Sequence, residues 1–136
     1  MIQAIRNKYR LAKYYYTQMY LVSKNGGSFI QPLFFSFPKD VNSRKDQQYN
    51  MMIGEALKLG INSDSIDQNF TEIIFPTNAT WCNLLHSKEG LGSCVPGSEK
   101  KINRTSKAYE FDLHLRDGFI VPLQNTSEVK STYDLL

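Results

Sequence analysis

The chain has 136 residues, a formal net charge of +3, 41% hydrophobic residues and 21% charged residues. This composition is typical of a globular protein with one hydrophobic core, and it excludes a disordered chain. The apolar runs fall well short of the roughly 18 residues that a membrane span requires, so we predict no transmembrane span.

The first predicted element is a helix from about Ile2 to Ser23. Its apolar residues recur at spacings of three and four, which places them on one face. These residues are Ile2, Ile5, Tyr9, Ala12, Tyr16 and Met19. The following "KNGG", Lys24 to Gly27, is a good helix stop because glycine adopts the left-handed conformation at little cost.

Basic residues dominate this first segment, and all of them precede the first acidic residue, Asp40. They are Arg6, Lys8, Arg10, Lys13 and Lys24. We interpret them as the solvated face of the helix. A nucleic-acid patch is one alternative, but no binding motif accompanies the charges, so we predict no nucleic-acid partner. A mitochondrial presequence is another, although such peptides are rich in serine and this segment is rich in tyrosine.

The stretch "QPLFFSFPKD", Gln31 to Asp40, is the next apolar segment. Proline has no amide to donate to a β ladder, so Pro32 predicts a sheet edge or the start of a strand. A polar turn follows, and we predict a short second helix from about Lys45 to Ile53, ending at Gly54.

Beyond Gly54 the pattern changes to short apolar or β-branched runs separated by clusters of Asn, Ser, Gly and Pro. The runs are "EALKLGI", "TEIIF", "YEFDLHL" and "GFIVPL". This alternation predicts an antiparallel β module. The chain therefore divides into a helix-and-strand part, residues 1–53, and a β domain, residues 54–136.

Two cysteines and four sequons bear on the compartment. Cys82 and Cys94 flank a loop-rich segment and are candidates for a disulfide. The glycosylation pattern N-x-[S/T] occurs at Asn69, Asn78, Asn103 and Asn125. Both features favour the secretory pathway, with a lysosomal or extracellular location. The N-terminal residues lack the apolar core of a signal peptide, so we expect targeting to lie elsewhere or the chain to start inside a larger precursor.

No constellation in the sequence predicts catalysis, a cofactor or a metal site. Cys82, His86 and Cys94 supply three ligands, but nothing completes a tetrahedral zinc site, and a disulfide would consume the thiols. His114 lies in an alternating strand pattern, where we expect a structural role. Thirteen carboxylates are present, and none lies in a recognisable catalytic motif.

Five segments in chain order carry a resemblance to a known family. They are "RNKYRLAKYYYTQMY", "QPLFFSFPKD", "MMIGEAL", "IIFPTNATW" and "LHLRDGFIVPLQ". In this order they resemble the landmarks that close the catalytic region of glycoside hydrolase family 31, the family of α-glucosidases, maltases and sucrase-isomaltase. The resemblance covers about Ile5 to Gln124. One departure is Lys58, which falls where the family has an apolar strand.

The resemblance implies a fold class: an α/β fragment followed by an all-β part. The last helix and strand of a (β/α)8 barrel, within residues 1–53, would be joined to the proximal C-terminal β-sandwich, residues 54–136. Residues 28–37 would be the eighth barrel strand, with Leu33 to Phe37 pairing in the ladder. The family's nucleophile and acid/base aspartates lie in motifs that this sequence does not contain.

The leading hypothesis is a C-terminal segment of a retaining, α-glucosidase-like hydrolase of terminal α-glucosidic bonds. The chain alone would be scaffold rather than enzyme, with no catalytic residues and no cofactor. Its partners would be the rest of the parent chain or a complementary chain, with the oligosaccharide substrate bound through that parent. The alternative is a stand-alone, non-catalytic relative that binds a carbohydrate or another partner.

Overall fold

The computed structural model describes residues 2–45, 49–61, 70–85, 92–98, 102–105 and 111–126. The chain separates into two compact units. One unit comprises Met1–Phe29 and Ile120–Leu136, and the other comprises Ile30–Phe119. Of the helices in the described residues, none is long and apolar enough to cross a membrane.

Two helices form the described N-terminal part of the first unit: α1 (Ile2–Arg10) and α2 (Ala12–Asn25). Only a turn at Leu11 separates them, and Tyr15 N–H still donates to the Leu11 carbonyl at 3.0 Å. The predicted helix is therefore confirmed, with a local break. The predicted stop is confirmed as well, because Gly26 adopts φ 77° and donates its N–H to the Val22 carbonyl.

The second unit is built on an antiparallel sheet of six strands, which confirms the predicted β module. Its strands are β1 (Ile30–Pro32), β2 (Asn50–Ile53), β3 (Leu57–Ile61), β5 (Thr80–Asn83), β6 (Cys94–Pro96) and β8 (Phe111–Arg116). Their order across the sheet is β1-β2-β3-β8-β5-β6, so three-residue strands lie at both described edges. A second sheet pairs β4 (Phe70–Ile73) with β7 (Ile102–Thr105).

The edge position predicted from Pro32 is confirmed, because β1 lies at one edge of the sheet and ends at this proline. The predicted pairing of Leu33 to Phe37 is wrong: residues Leu33–Ser36 form the short helix α3. The helical turn places Leu33 and Phe37 on one face, where both are buried. Phe35, on the opposite side, is 66% exposed.

The predicted helix from Lys45 to Ile53 is also wrong. A helix, α4, covers Val41–Lys45, whereas Asn50–Ile53 forms β2 between β1 and β3. Pairing on both sides outweighs the weak helical preference of this short stretch. Gly54 does not end a helix; it opens the turn to β3 with φ 60°, a conformation that side chains disfavour.

The run "GFIVPL", which we predicted as a strand, has no regular secondary structure in residues 118–123. The chain leaves the sheet after Arg116, where Asp117 donates its N–H to the Thr80 carbonyl. Gly118 then adopts φ 77° and turns the backbone away. The apolar residues after it therefore do not continue β8.

The apolar core lies against one face of the six-stranded sheet. Trp81 is completely buried at its centre, with the Phe37 ring edge-on at 5.7 Å. The indole Nε1 donates to the Pro76 carbonyl at 3.2 Å, which satisfies the only polar group of the ring. The other members of this core are Leu33, Met52, Ile73, Ile74, Phe75 and Ala79, with Val95 packed beside them.

The buried carboxylate of Asp40 joins two parts of the second unit. Its Oδ1 accepts the Ser43 N–H at 2.8 Å, which caps α4, and its Oδ2 accepts the N–H and hydroxyl of Thr77. Burial by itself raises the pKa of Asp40. The hydrogen bonds from Ser43 and Thr77 together outweigh this effect, so the pKa lies below its ordinary value of 3.8.

Replacing Asp40 with alanine should lower the free energy of unfolding at neutral pH by about 0.5 to 2 kcal/mol, the range for a lost helix cap. Folding lowers the pKa of Asp40. Its contribution to the free energy of unfolding is therefore complete when the pH is above the ordinary pKa of 3.8, and it is lost as the pH falls through the lower pKa of the folded state. The effect of Asp40→Ala should therefore shrink below about pH 4 in urea unfolding series. A constant difference down to about pH 2 would contradict this account. The exposed neighbour, in Lys39→Ala, serves as the control.

Candidate functional site: a buried polar cluster on the central sheet

Polar side chains form a row across the middle of the six-stranded sheet. Lys58 on β3 lies opposite His114 on β8, and His114 lies opposite Asn83 on β5. The next row on the same face contains Asn50 on β2 and Asp112 on β8, with Gly60 between them. Alternate residues of a strand share one face, so the register brings these five side chains to one side of the sheet. We call Asn50, Lys58, Asn83, Asp112 and His114 the polar cluster.

Lys58 is the most unusual member because its side chain is 0% exposed. Its Nζ donates to Asn50 Oδ1 at 2.8 Å and lies 5.0 Å from the centre of the Phe75 ring. A buried ammonium is costly unless hydrogen bonds and favourable electrostatic contacts replace its water. Asn50 and Phe75 provide such contacts.

Asn50 links the cluster to the chain that covers the sheet. The same Oδ1 that accepts from Lys58 also accepts the Ile74 N–H at 3.2 Å. Ile74 and Phe75 belong to the extended segment after β4, and both are buried. One amide oxygen therefore fixes a side chain of β3 and the backbone of the covering segment at the same time.

The histidine of the cluster is packed against the same aromatic ring. His114 is 2% exposed, and its imidazole meets Phe75 edge-on at 4.8 Å, with the ring planes at 82°. Asp112 and Asn83 are similarly buried. An active site needs groups that a substrate can reach, and these groups are enclosed. We therefore interpret the polar cluster as an internal network that positions strands.

A second polar element lies where β8 ends. The Arg116 guanidinium is 4.8 Å from the centre of the Phe37 ring and 5.3 Å from that of Phe119. Contacts of this kind stabilise a cation by about 0.5 to 1 kcal/mol each when they are partly exposed. Arg116 thereby ties the segment "LHLRDGF" to the core beside α3.

Of the candidate site residues from the sequence, the structure brings two together. Cys82 on β5 and Cys94 on β6 are direct cross-strand neighbours and form a disulfide. His86 lies outside the described residues. Within those residues, no group of three or more His, Cys, Asp and Glu side chains is arranged to hold a metal ion.

The four sequons occupy different settings. Asn78 is exposed in a turn, and Asn103 lies within β7. Asn125 is exposed near the end of the described part, and Asn69 lies outside it.

Comparisons with known proteins show what the chain is similar to. No family model matches. A protein of Aspergillus fumigatus named "Probable alpha/beta-glucosidase" is 30% identical over 134 residues, which are 96% of this chain and 14% of that protein. A "family 31 glucosidase" of Schizosaccharomyces pombe is 39% identical over 127 residues, which are 89% of this chain and 12% of that protein.

Solved structures agree with these relatives. A GH31 dextranase of Flavobacterium johnsoniae superposes with a TM-score of 0.72 at 17% identity, over 92% of this chain and 15% of that one. A GH31 α-xylosidase from a soil metagenome gives a TM-score of 0.68 at 18% identity, over 81% and 15%. At such identities the superpositions establish the fold alone, and the relatives' names supply the family. The predicted resemblance to glycoside hydrolase family 31 is therefore confirmed.

The chain spans about 14% of the length of the curated relatives it matches. It is therefore comparable to a small part of longer glycosidases. Its described fold, a mixed α/β arrangement around a six-stranded antiparallel sheet, occurs in family 31 structures.

Asn50→Ala should lower the free energy of unfolding of the chain by about 2 to 3 kcal/mol, because it removes the oxygen shared by Lys58 and Ile74. Adding Lys58→Met removes the charge that needed this oxygen. The double variant should therefore be more stable than the sum of the single effects predicts, by about 1 kcal/mol or more in urea unfolding.

Additive effects of Asn50→Ala and Lys58→Met would contradict the proposed coupling. Lys45→Met is a matched control, because Lys45 is exposed. Its combination with Asn50→Ala should be additive.

Replacing both Cys82 and Cys94 with serine should lower the free energy of unfolding by about 2 to 4 kcal/mol, because the cross-link no longer restricts the unfolded chain. A reductant should bring the wild-type protein to the level of the double variant. The variant itself should not respond to the reductant. A wild-type protein whose unfolding midpoint is the same with and without reductant would contradict a stabilising disulfide.

Proposed function

We propose that the chain is a scaffold segment on the C-terminal side of the catalytic region of an α-glucosidase-like enzyme. The observation that carries the proposal is the match of nearly the whole chain to a small part of longer glucosidases. The two aspartate motifs that supply catalysis in the resembled family are not in this sequence. The catalytic acids of the proposed enzyme would therefore come from residues outside this chain.

The proposed reaction is retaining hydrolysis of terminal α-glucosidic bonds. One carboxylate attacks the anomeric carbon while the other protonates the leaving oxygen, and water then hydrolyses the glycosyl-enzyme intermediate. This chemistry requires two carboxyl groups held about 5 to 5.5 Å apart by a rigid frame. The sheet with its buried polar cluster is suited to provide part of that frame.

We further propose how the two units relate to the architecture of the family. The helices α1 and α2 would belong to the end of the barrel, and the sheet from Ile30 onwards would belong to the proximal β-sandwich. The division at Gly54 remains a prediction. Because β1 and β2 pair antiparallel in the same sheet as β3, we favour a boundary near Phe29.

The proposed location is the secretory pathway, in a lysosome or outside the cell. The support comes from the disulfide between Cys82 and Cys94, because such bonds persist in oxidising compartments. The sequons point in the same direction.

A stand-alone binding protein is the second candidate function. It is favoured by exposed apolar side chains in the second unit, which a partner could cover. Among the described residues of this unit, the most exposed are Ile30, Phe35 and Val41.

Intact mass spectrometry of the natural protein after deglycosylation separates the two candidates. We expect a mass several times the 15.6 kDa of this chain, with peptides that contain both aspartate motifs. The purified protein should hydrolyse maltose or isomaltose with release of α-glucose. The 136-residue chain expressed alone should be inactive. A natural mass near 15.6 kDa would contradict the enzyme proposal and favour the stand-alone binding protein.

A further inference from the structure

A bend precedes β5, at residues 77–79. Asn78 in this bend is exposed and adopts φ 65°, and among the described residues it is the only non-glycine with a positive φ. Asparagine tolerates the left-handed region better than most residues with a side chain. The side chain of Asn78 is therefore exposed in a bend whose backbone conformation asparagine tolerates.

The neighbours of Asn78 hold the bend in place. Thr77 donates its N–H to Asp40 Oδ2 at 3.1 Å, and the Ala79 carbonyl accepts the Gly97 N–H at 2.7 Å. The Pro76 carbonyl accepts from the Trp81 indole. In the described part of the chain, no hydrogen bond joins the Asn78 side chain to the protein. A substituent on its amide nitrogen would thus displace no hydrogen bond within the described part of the chain.

Asn78, Ala79 and Thr80 form a complete N-A-T acceptor sequence, and the structure describes all three residues. The acceptor at Asn103 differs, because it lies inside β7 with Glu72 opposite on β4. A turn provides a more adaptable backbone than a paired strand does. The sequon at Asn125 continues to Ser127, which is outside the described residues.

We propose that Asn78 is the attachment site of an N-linked glycan, and this rests on the secretory location proposed above. The donor would be a lipid-pyrophosphate-linked oligosaccharide. Asn78 Nδ2 forms a bond to the anomeric carbon of the first sugar and loses a proton, while the bond from that carbon to the pyrophosphate leaving group breaks. The glycan then extends into solvent, and the Asp40–Thr77 hydrogen bonds and the Trp81 indole bond remain intact.

The direct test is peptide mapping of the natural full-length protein. An amidase that releases N-glycans converts a glycosylated asparagine to aspartate, and in heavy-oxygen water the new carboxylate carries the label. We expect the label at Asn78. An unlabelled, unmodified Asn78 in the mature protein overturns the proposal, even where Asn125 or another sequon is labelled.

Variants of the full-length protein in a eukaryotic secretory host give an independent measurement. Asn78→Gln and Thr80→Ala should each remove one glycan from the mass, whereas Thr80→Ser should retain it. Asn25→Gln is the matched control, because Asn25 is exposed and is not part of a sequon. Glycan occupancy is measured on the intracellular protein as well as on the secreted protein. A variant that folds poorly and is not secreted therefore still shows whether it carries the glycan. An unchanged glycan mass in both Asn78→Gln and Thr80→Ala overturns the proposal.

These results are distinct from those for the proposed enzyme. A glycan at Asn78 on a full-length protein that hydrolyses neither maltose nor isomaltose would contradict the enzyme proposal and support this one. Hydrolysis of maltose or isomaltose by a protein whose Asn78 is unmodified would support the enzyme proposal and contradict the glycan proposal.

Discussion

The second unit depends on the burial of one positive charge in the middle of its sheet. Lys58 needs a polar partner that water cannot provide, and Asn50 supplies it from the neighbouring strand. The same oxygen also accepts the Ile74 N–H, so the position of the segment that covers the sheet depends on Asn50 as well. Phe75 then contacts both Lys58 and His114. A shift of β2 by one residue would turn Asn50 to the opposite face, so this interaction also specifies the strand register.

Features governed by local backbone chemistry were predictable from the sequence. Glycines after α2 indicated where it ends, and Pro32 indicated a sheet edge, because each rule concerns the residue itself. Features decided by distant partners were not predictable. Residues 50–53 become a strand through pairing with β1 and β3, and Leu33 and Phe37 lie in a helical turn because the core receives them four residues apart.

The polar cluster illustrates the same limit for the candidate site. In "LKLGI" the alternation suggests a lysine facing solvent, yet this face of β3 is the covered one. The available signal was the departure from the family, which has an apolar strand where Lys58 occurs. The resemblance to family 31 itself was predictable, because five motifs in order depend on the sequence and not on packing. Catalytic groups could not be predicted, because the aspartate motifs that carry them in the resembled family are not in this sequence.

Both described edges of the six-stranded sheet share one construction. The outer strands, β1 and β6, are three residues long, and each ends in a proline, Pro32 or Pro96. Free amides at a sheet edge can recruit strands from other molecules, and short edges interrupted by proline offer few of them. The disulfide further holds β6 against β5. The same features that end the sheet therefore protect it against intermolecular strand addition and amyloid-like aggregation.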